Sequence, residues 1–356
     1  MNISTVAKKA KVSKATVSRV MNGTAYVSPE IAKRVRSVIE DLNFHPDINA
    51  RTLGSGRSGL YGLIISDITN PYFPEIAKAF EDIAVEHGQD VLISNTDYDP
   101  KRMERCVIRM LQRKVDGVAV MTSEMEERLI RTFSQRQIPT IFMDTCTTVP
   151  GARIVSVDYA AGVKQAVRHL ISLGHRRIGF ISGPLALASA QVREQAFVGA
   201  LRKHGLTADP QWIQEGDHRV EGGHHAMRRI LKCSARPTAI LGSNDLTALG
   251  AMGAIHEAGL SIPGDISVIG FDDIQLSAYT QPALTTVHVP RRELAATAFR
   301  SLFHGREEGK RTRKLEHIIE PVLLVRASTG PPRKASPSPL SWHAHRGKGS
   351  ASRLEG

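Results

Sequence analysis

Apolar residues recur through the first forty positions at the three- and four-residue spacing of a helix face. From residue 60 onward they gather instead into short continuous runs separated by amphipathic stretches. Ile3, Val6, Ala7 and Ala10 form one stripe with Asn2 placed to cap it, which predicts a first helix. Val17, Val20 and Met21 predict a second over Lys14–Asn22, capped by Ser13, and only Lys11-Val12 separates the two. A third helix follows, with Ser28 as cap, Pro29 in the first turn, and Ile31, Val35, Val38, Ile39 and Leu42 on one face.

Beyond Leu60 the runs Leu60 to Ile65, Val91 to Ser94, Gly117 to Met121, Thr140 to Met143, Ile178 to Ile181, Thr238 to Leu241 and Val268 to Phe271 predict strands. Helical patterns lie between them, at Phe73 to His87, Arg102 to Arg113, Ala160 to Leu173, Gln191 to His204 and Leu246 to Ala258. Alternation of this kind predicts an α/β fold of parallel sheets flanked by helices. About ten alternating elements over about 270 residues exceed one comfortable sheet, so the region should divide into two similar lobes.

Two short helices joined by so tight a turn are a helix-turn-helix, whose second helix enters the DNA major groove. Here the polar face of that helix carries Lys14, Ala15, Thr16, Ser18 and Arg19, with Asn22 at its end, and these are the candidate base readers. Charge supports the assignment. Of a net +12, residues 1–58 hold ten Lys/Arg against four Asp/Glu, and residues 331–356 hold five against one, so the basic charge sits at the two ends. A polyanion partner for the N-terminal module follows, because Lys and Arg contacts to phosphate supply most non-specific affinity for nucleic acid.

An apolar content of 41% is that of a soluble globular chain, and no run approaches the roughly 18 apolar residues of a membrane span. The polar start Met1-Asn2-Ile3-Ser4-Thr5 is not a signal peptide, so the expected location is the cytoplasm. Cys106, Cys146 and Cys233 are odd in number and far apart, which suits reduced thiols better than a disulfide framework. His224-His225 and His343/His345 lack metal-site spacing, and neither a metal nor a cofactor is expected.

Pro46 to Gly54 reads as a one-to-two-turn segment between domains, bounded by Gly54-Ser55-Gly56. Gly54-Ser55-Gly56-Arg57-Ser58-Gly59 fits the dinucleotide pattern G-x-G-x-x-G but precedes a strand instead of following one, and so carries no nucleotide site. The expected domains are 1–46, a hinge at 47–58, a two-lobed region at 59–330, and a basic tail at 331–356 too polar to order itself.

The run Val12-Ser13-Lys14-Ala15-Thr16-Val17-Ser18-Arg19-Val20-Met21-Asn22-Gly23, with Asn43-Phe44-His45-Pro46, resembles the LacI/GalR (lactose/purine/ribose repressor) family of bacterial transcription regulators. Asp67 to Phe73, Val115-Asp116-Gly117, Gly174 to Ile178, Asn244-Asp245, Gly270 to Asp273 and Pro282 to Val287 extend the resemblance to about residue 329. It implies a DNA-binding repressor, a dimer on a palindromic double-stranded operator, switched by a small-molecule effector of sugar type. It also implies a hinge helix ordered on DNA, with Leu53 wedged between base pairs in the minor groove, and a large domain like a periplasmic sugar-binding protein.

The effector residues the resemblance implies are Tyr72, Phe73, Thr145, Ser189, Arg193, His218, Asn244 and Asp272. Phe73 would stack on the ligand ring, while the Arg193 fork with a carboxylate and an amide suits the vicinal hydroxyls of a sugar. His218 and Thr145 depart from the purine- and ribose-responsive members of the family, where the first position is aromatic and the second commonly tryptophan. The tail lacks the heptads of tetrameric members, so a dimer is expected. An α/β enzyme would need a phosphate loop, a metal cluster or a nucleophile elbow, and G-x-x-x-x-G-K-[ST], H-E-x-x-H and G-x-S-x-G are absent. A transport receptor would need a secretory signal.

Overall fold

The computed structural model of the chain describes residues 2–22, 26–44, 57–122, 125–144, 153–305 and 316–333. Leu53 with most of the expected hinge, Thr145, Cys146 and the chain from 334 onward lie outside the described residues.

Helix α1 (Ile3–Ala10) starts on Asn2, whose Oδ1 accepts from the Thr5 amide at 3.2 Å. It ends where Lys11 turns left-handed (φ 53°) and the Val12 amide reaches back to the Ala7 carbonyl, a C-cap that satisfies an orphan carbonyl. Ser13 Oγ then accepts from the Thr16 amide at 3.0 Å and opens α2 (Lys14–Asn22). Pro29 sits in the first turn of α3 (Pro29–Asp41), but Ser28 makes no side-chain capping bond, contrary to expectation. Its carbonyl accepts from the Ala32 amide, and the fixed φ of Pro29 shapes the first turn without the hydroxyl. Val6, Ala10, Val17 and Val35 are fully buried with Ala7 and Phe44, so the module has a core of its own. Arg34 Nε bonds the Ala10 carbonyl at 2.9 Å and ties α3 to the end of α1.

The chain continues through β1 (Leu60–Ile65), α4 (Tyr72–Glu86), β2 (Asp90–Asn95), α5 (Pro100–Gln112), β3 (Gly117–Met121), α6 (Glu127–Gln135), β4 (Thr140–Met143) and β5 (Arg153–Val157). Then come α7 (Tyr159–Ser172), β6 (Ile178–Ser182), α8 (Ala188–Lys203), β7 (Ile213–Glu215), α9 (Val220–Leu231), β8 (Ala239–Gly242), α10 (Asp245–Glu257), β9 (Ser267–Asp272) and β10 (Thr285–His288). Last are α11 (Arg291–Gly305), β11 (Glu316–Ile319) and β12 (Val322–Leu324). Two compact units result. One takes the chain to Tyr159 and again over Leu187–Ser189 and Val289–Pro321, and the other takes Ala160–Ala186, Ala190–His288 and the chain from Val322.

The first unit holds a six-stranded sheet ordered β11-β5-β4-β3-β1-β2, all parallel, with Leu60 opposite Asp90 and Tyr61 opposite Gly117. One face of this sheet is covered by Met103, Cys106, Val107 and Met110 of α5 with Phe133 of α6. Phe299 of α11 lies 5.1 Å from the ring of Tyr61 and 5.4 Å from that of Phe80. The second unit holds the sheet β12-β10-β9-β8-β6-β7, in which only the β10/β12 pair is antiparallel. Its core joins Met227 and Ile230 of α9, Ala251 and Ile255 of α10, and Ile240, Val268 and Leu284. Helices α9 and α10 approach backbone to backbone: a Cβ on Gly223 would collide with the Thr247 carbonyl, and one on Gly250 with the Val220 carbonyl.

Each strand read from the sequence forms within a residue or two of its expected ends. Five further strands, β5, β7, β10, β11 and β12, and three further helices, α6, α9 and α11, complete the two units. Past residue 330 the chain stays seated for three residues, with the Gly330 carbonyl 2.8 Å from His175 Nε2 and Arg333 paired to Asp265 at 2.8 Å.

Candidate functional site

The N-terminal module presents one face of α2. Val17, fully buried, anchors the helix to the module core, while Lys14, Ala15 and Arg19 are exposed on the other side. Thr16 is half-buried and its hydroxyl lies 2.9 Å from Ser13 Oγ, so it belongs to the helix start as much as to the outer face. Ser18 is half-buried and Asn22 ends the helix. Of the six base-reading candidates, Lys14, Ala15 and Arg19 are therefore open to a partner, whereas Thr16 and Ser18 are partly covered. Tyr26, absent from the sequence expectation, is 89% exposed a few residues beyond.

In the first unit Tyr72 and Phe73 open α4 past the carboxyl end of β1. Asp67 Oδ1 accepts from the Thr69 amide and hydroxyl, and Asn70 Oδ1 from the Tyr72 amide, so the intervening Asp67-Ile68-Thr69-Asn70 turn is built from Asx-type bonds. Both aromatic side chains are buried and meet edge to face at 5.7 Å. The Tyr72 hydroxyl donates to Asp144 Oδ2 at 3.1 Å, and the Tyr159 hydroxyl donates to Asp144 Oδ1. Asp144 was not singled out in the sequence. It follows β4 in the left-handed region (φ 53°), one residue before Thr145.

The remaining described candidates, all in the second unit except Ser189, follow the carboxyl ends of parallel strands, where open α/β sheets place ligands. Ser189 and Arg193 lie on α8 after β6, His218 follows β7, Asn244 follows β8, and Asp272 ends β9. Arg193 is only 5% exposed, which rules out an ordinary surface-helix role, and its guanidinium carbon stands 5.0 Å from the centroid of the Phe271 ring. Burial, with the Arg193 charge nearby, holds the His218 imidazole down at about 3, so the ring is neutral. Its Nδ1 lies 3.2 Å from Ser243 Oγ, and a Cβ on Gly183 would collide with its Nε2 edge. Asn244 caps α10 by accepting from the Thr247 amide at 2.9 Å and donates to the His218 carbonyl at 3.0 Å, which leaves one amide hydrogen for a ligand.

Asp245, the neighbour of Asn244, is a buried carboxyl raised by burial to about 7. Its oxygens accept from the Ile274 amide at 2.8 Å and the Thr286 hydroxyl, which pins the chain that follows β9. Asp272 is buried with φ 110°, and Asp273 follows at φ 57°, a two-residue left-handed kink at the end of β9. Among the described residues no group of three or more His, Cys, Asp or Glu could hold a metal ion, and no helix is long and apolar enough to cross a membrane.

Known proteins share this arrangement. Residues 2–47 match the family model described as bacterial regulatory proteins, lacI family, and residues 167–329 match a periplasmic binding protein-like domain. The chain is 33% identical over 327 residues to the HTH-type transcriptional repressor PurR of Aliivibrio salmonicida, covering 92% of this chain and 98% of that protein. It is 33% identical over 326 residues to the ribose operon repressor of Escherichia coli K12, covering 91% and 98%. Among solved structures, the Lac repressor dimer bound to operator and the anti-inducer ONPF superposes with a TM-score of 0.82 at 28% identity, covering 93% of this chain and 99% of that one.

Proposed function

The chain belongs to the LacI family of bacterial regulatory proteins, and from that premise we propose that it is a homodimeric transcription repressor, not an enzyme, that binds a palindromic double-stranded operator and is switched by a small-molecule effector. The observation that carries the reading is the α2 face, where Lys14, Ala15 and Arg19 stand exposed opposite the buried Val17. Arg19 gives two directed donors to a guanine edge, Ala15 a methyl contact, and Lys14, Thr16, Ser18 and Asn22 complete the operator contacts. Leu53, in a hinge spanning 47–58, supplies the minor-groove wedge. The module at 1–46 and the effector region at 59–330 work as separate parts of one cytoplasmic protein.

The effector is of sugar type, the class suggested by the ribose operon repressor among the relatives. Arg193, Asp272 and the spare amide hydrogen of Asn244 address its hydroxyls, Phe73 stacks on its ring, and Tyr72, Thr145, Ser189 and His218 line its surroundings. A neutral His218 beside a buried Arg193 supports this assignment, because together they offer directed hydrogen bonds with a single positive charge.

The test is selection of binding sites from random DNA with the full chain, followed by a thermal-shift screen of sugars, sugar phosphates and purines. A palindrome should emerge, and a compound that raises the melting temperature should change its binding. Absence of any enriched palindrome overturns the DNA assignment. A stabilising compound that leaves operator affinity unchanged overturns the switch.

A further inference from the structure

Asp272 is held in a conformation that side chains other than glycine rarely adopt, and the following residue explains how it stays there. At φ 110° and then 57°, Asp272 and Asp273 turn the chain left-handed as it leaves β9. Strained pairs of this kind persist only where the surroundings over-determine them. Here Asp273 is fixed from two sides. Arg326, just past β12, places its Nη2 2.5 Å from Asp273 Oδ1, and His288, the last residue of β10, places Nδ1 2.8 Å from Oδ2.

Arg326 is itself held. Its Nη1 donates to the Leu284 carbonyl at 2.9 Å and to Ser277 Oγ at 3.2 Å, and its backbone amide donates to Thr285 Oγ1 at 2.9 Å. On the far side of the kink the Ile274 amide is bound to Asp245. The carboxylate of Asp273 is thus the fixed point on which the kink turns, held by His288 at the end of β10 and by Arg326 just past β12.

We propose that Asp273, clamped by Arg326 and His288, is a positioning residue that locks Asp272 in its left-handed conformation and so aims the Asp272 carboxylate at the effector. The proposal rests on the reading of Asp272 as an effector residue, and its test separates the two. Asp273 does not touch the effector in this account; it acts through the backbone of its neighbour.

The first measurement needs no effector. Asp272→Gly and Asp272→Ala both remove the carboxylate, but only glycine accepts φ 110° without strain, so in the otherwise unaltered full chain the glycine variant should melt a few degrees higher. The same pair is then compared in an Asp273→Asn background, where asparagine tolerates the left-handed region but gives up the charge that Arg326 holds. Residue 272 should relax, and the gap between the glycine and alanine variants should shrink by half or more. A gap that persists undiminished overturns the clamp. Arg326→Lys, which keeps the charge while losing the fork, serves as the second background and should give an intermediate gap.

The second measurement titrates D-ribose and hypoxanthine by calorimetry. For a probe that binds the unaltered chain, Asp273→Asn should weaken binding about tenfold, and no further loss should follow in an Asp272→Ala background. Losses that simply multiply overturn positioning through Asp272. If Asp272→Ala binds the probe as tightly as the unaltered chain, the effector role of Asp272 fails while the melting comparison still decides the clamp, with or without a bound probe.

Discussion

The second unit carries two buried titratable groups whose effects on stability oppose each other. His218 falls from an ordinary 6.5 to about 3, so its contribution is complete above pH 6.5 and is lost as the pH falls toward 3, because the unfolded chain takes up the proton first. Asp245 rises from 3.8 to about 7, so its contribution is complete below pH 3.8 and is lost as the pH rises through 7. Between pH 7 and 5, linkage gives a loss of about 2 kcal/mol from His218 and a gain of about 2 kcal/mol from Asp245. The two nearly cancel.

Removing either one should expose the other. In Asp245→Asn the amide oxygen can still accept from the Ile274 amide, and the amide nitrogen can donate to a Thr286 hydroxyl turned to accept, so the fold is kept while the titration disappears. That variant should lose about 2 kcal/mol more than the unaltered chain on going from pH 7 to 5. His218→Asn, neutral and tolerant of the φ of 62° found there, should instead gain about 2 kcal/mol relative to it. His169 and His175, both pushed down by burial, tilt every variant in the same sense as His218 and drop out of the comparison. The assay is urea unfolding followed by fluorescence of Trp212, which is buried in this unit. Equal pH slopes in all three proteins would falsify the account.

Arg19→Ala should relax base preference at one position per half-site, worth about 1–3 kcal/mol of discrimination; an unchanged palindrome after selection from random DNA sinks the assignment. Leu53→Ala should weaken operator binding with no change in the melting temperature of the free protein, and a fall of several degrees with DNA affinity intact would mean that Leu53 packs against the fold instead. Gly250→Ala should destabilise the second unit by about 2 kcal/mol or more, because the new methyl meets the Val220 carbonyl of α9 with no side chain to yield, and urea unfolding reads it directly. Arg193→Ala should abolish the response of operator binding to any stabilising compound; a mutant that keeps the full response places the effector elsewhere.

The sequence disclosed the elements whose residues obey one period. Strand β3, Gly117–Met121, is buried at every residue and reads as an unbroken apolar run, and α1 and α2 show their stripes within ten residues. Four of the five strands that escaped are short or at sheet edges. β7 and β12 have three residues each, β11 begins Glu316-His317, and β10 opens with two threonines that are wholly buried on a tertiary signal no local pattern carries. Helix α9 contains Gly222-Gly223, poor helix formers, yet Gly223 is there because α10 comes too close for a side chain.

The site divides the same way. Arg193 carries a charge on a helix, and nothing local reveals that it is buried; only the family resemblance pointed inward. Asp144 lies 72 residues from Tyr72, and Asp273 lies 53 from Arg326, so these pairings exist only once the sheets are assembled.

The order in which the parts leave the ribosome follows from the discontinuous first unit. The N-terminal module has its own core and is complete by Phe44, whereas the first unit still lacks Phe299 and strand β11 until about residue 319 has been made. At roughly 5–20 residues per second the interval lasts roughly 15–60 s. Through that time each nascent chain carries a finished N-terminal module attached to two unfinished sheets, so that a messenger broken between the end of the module and β11 yields a chain with that module complete and no finished effector region to govern it.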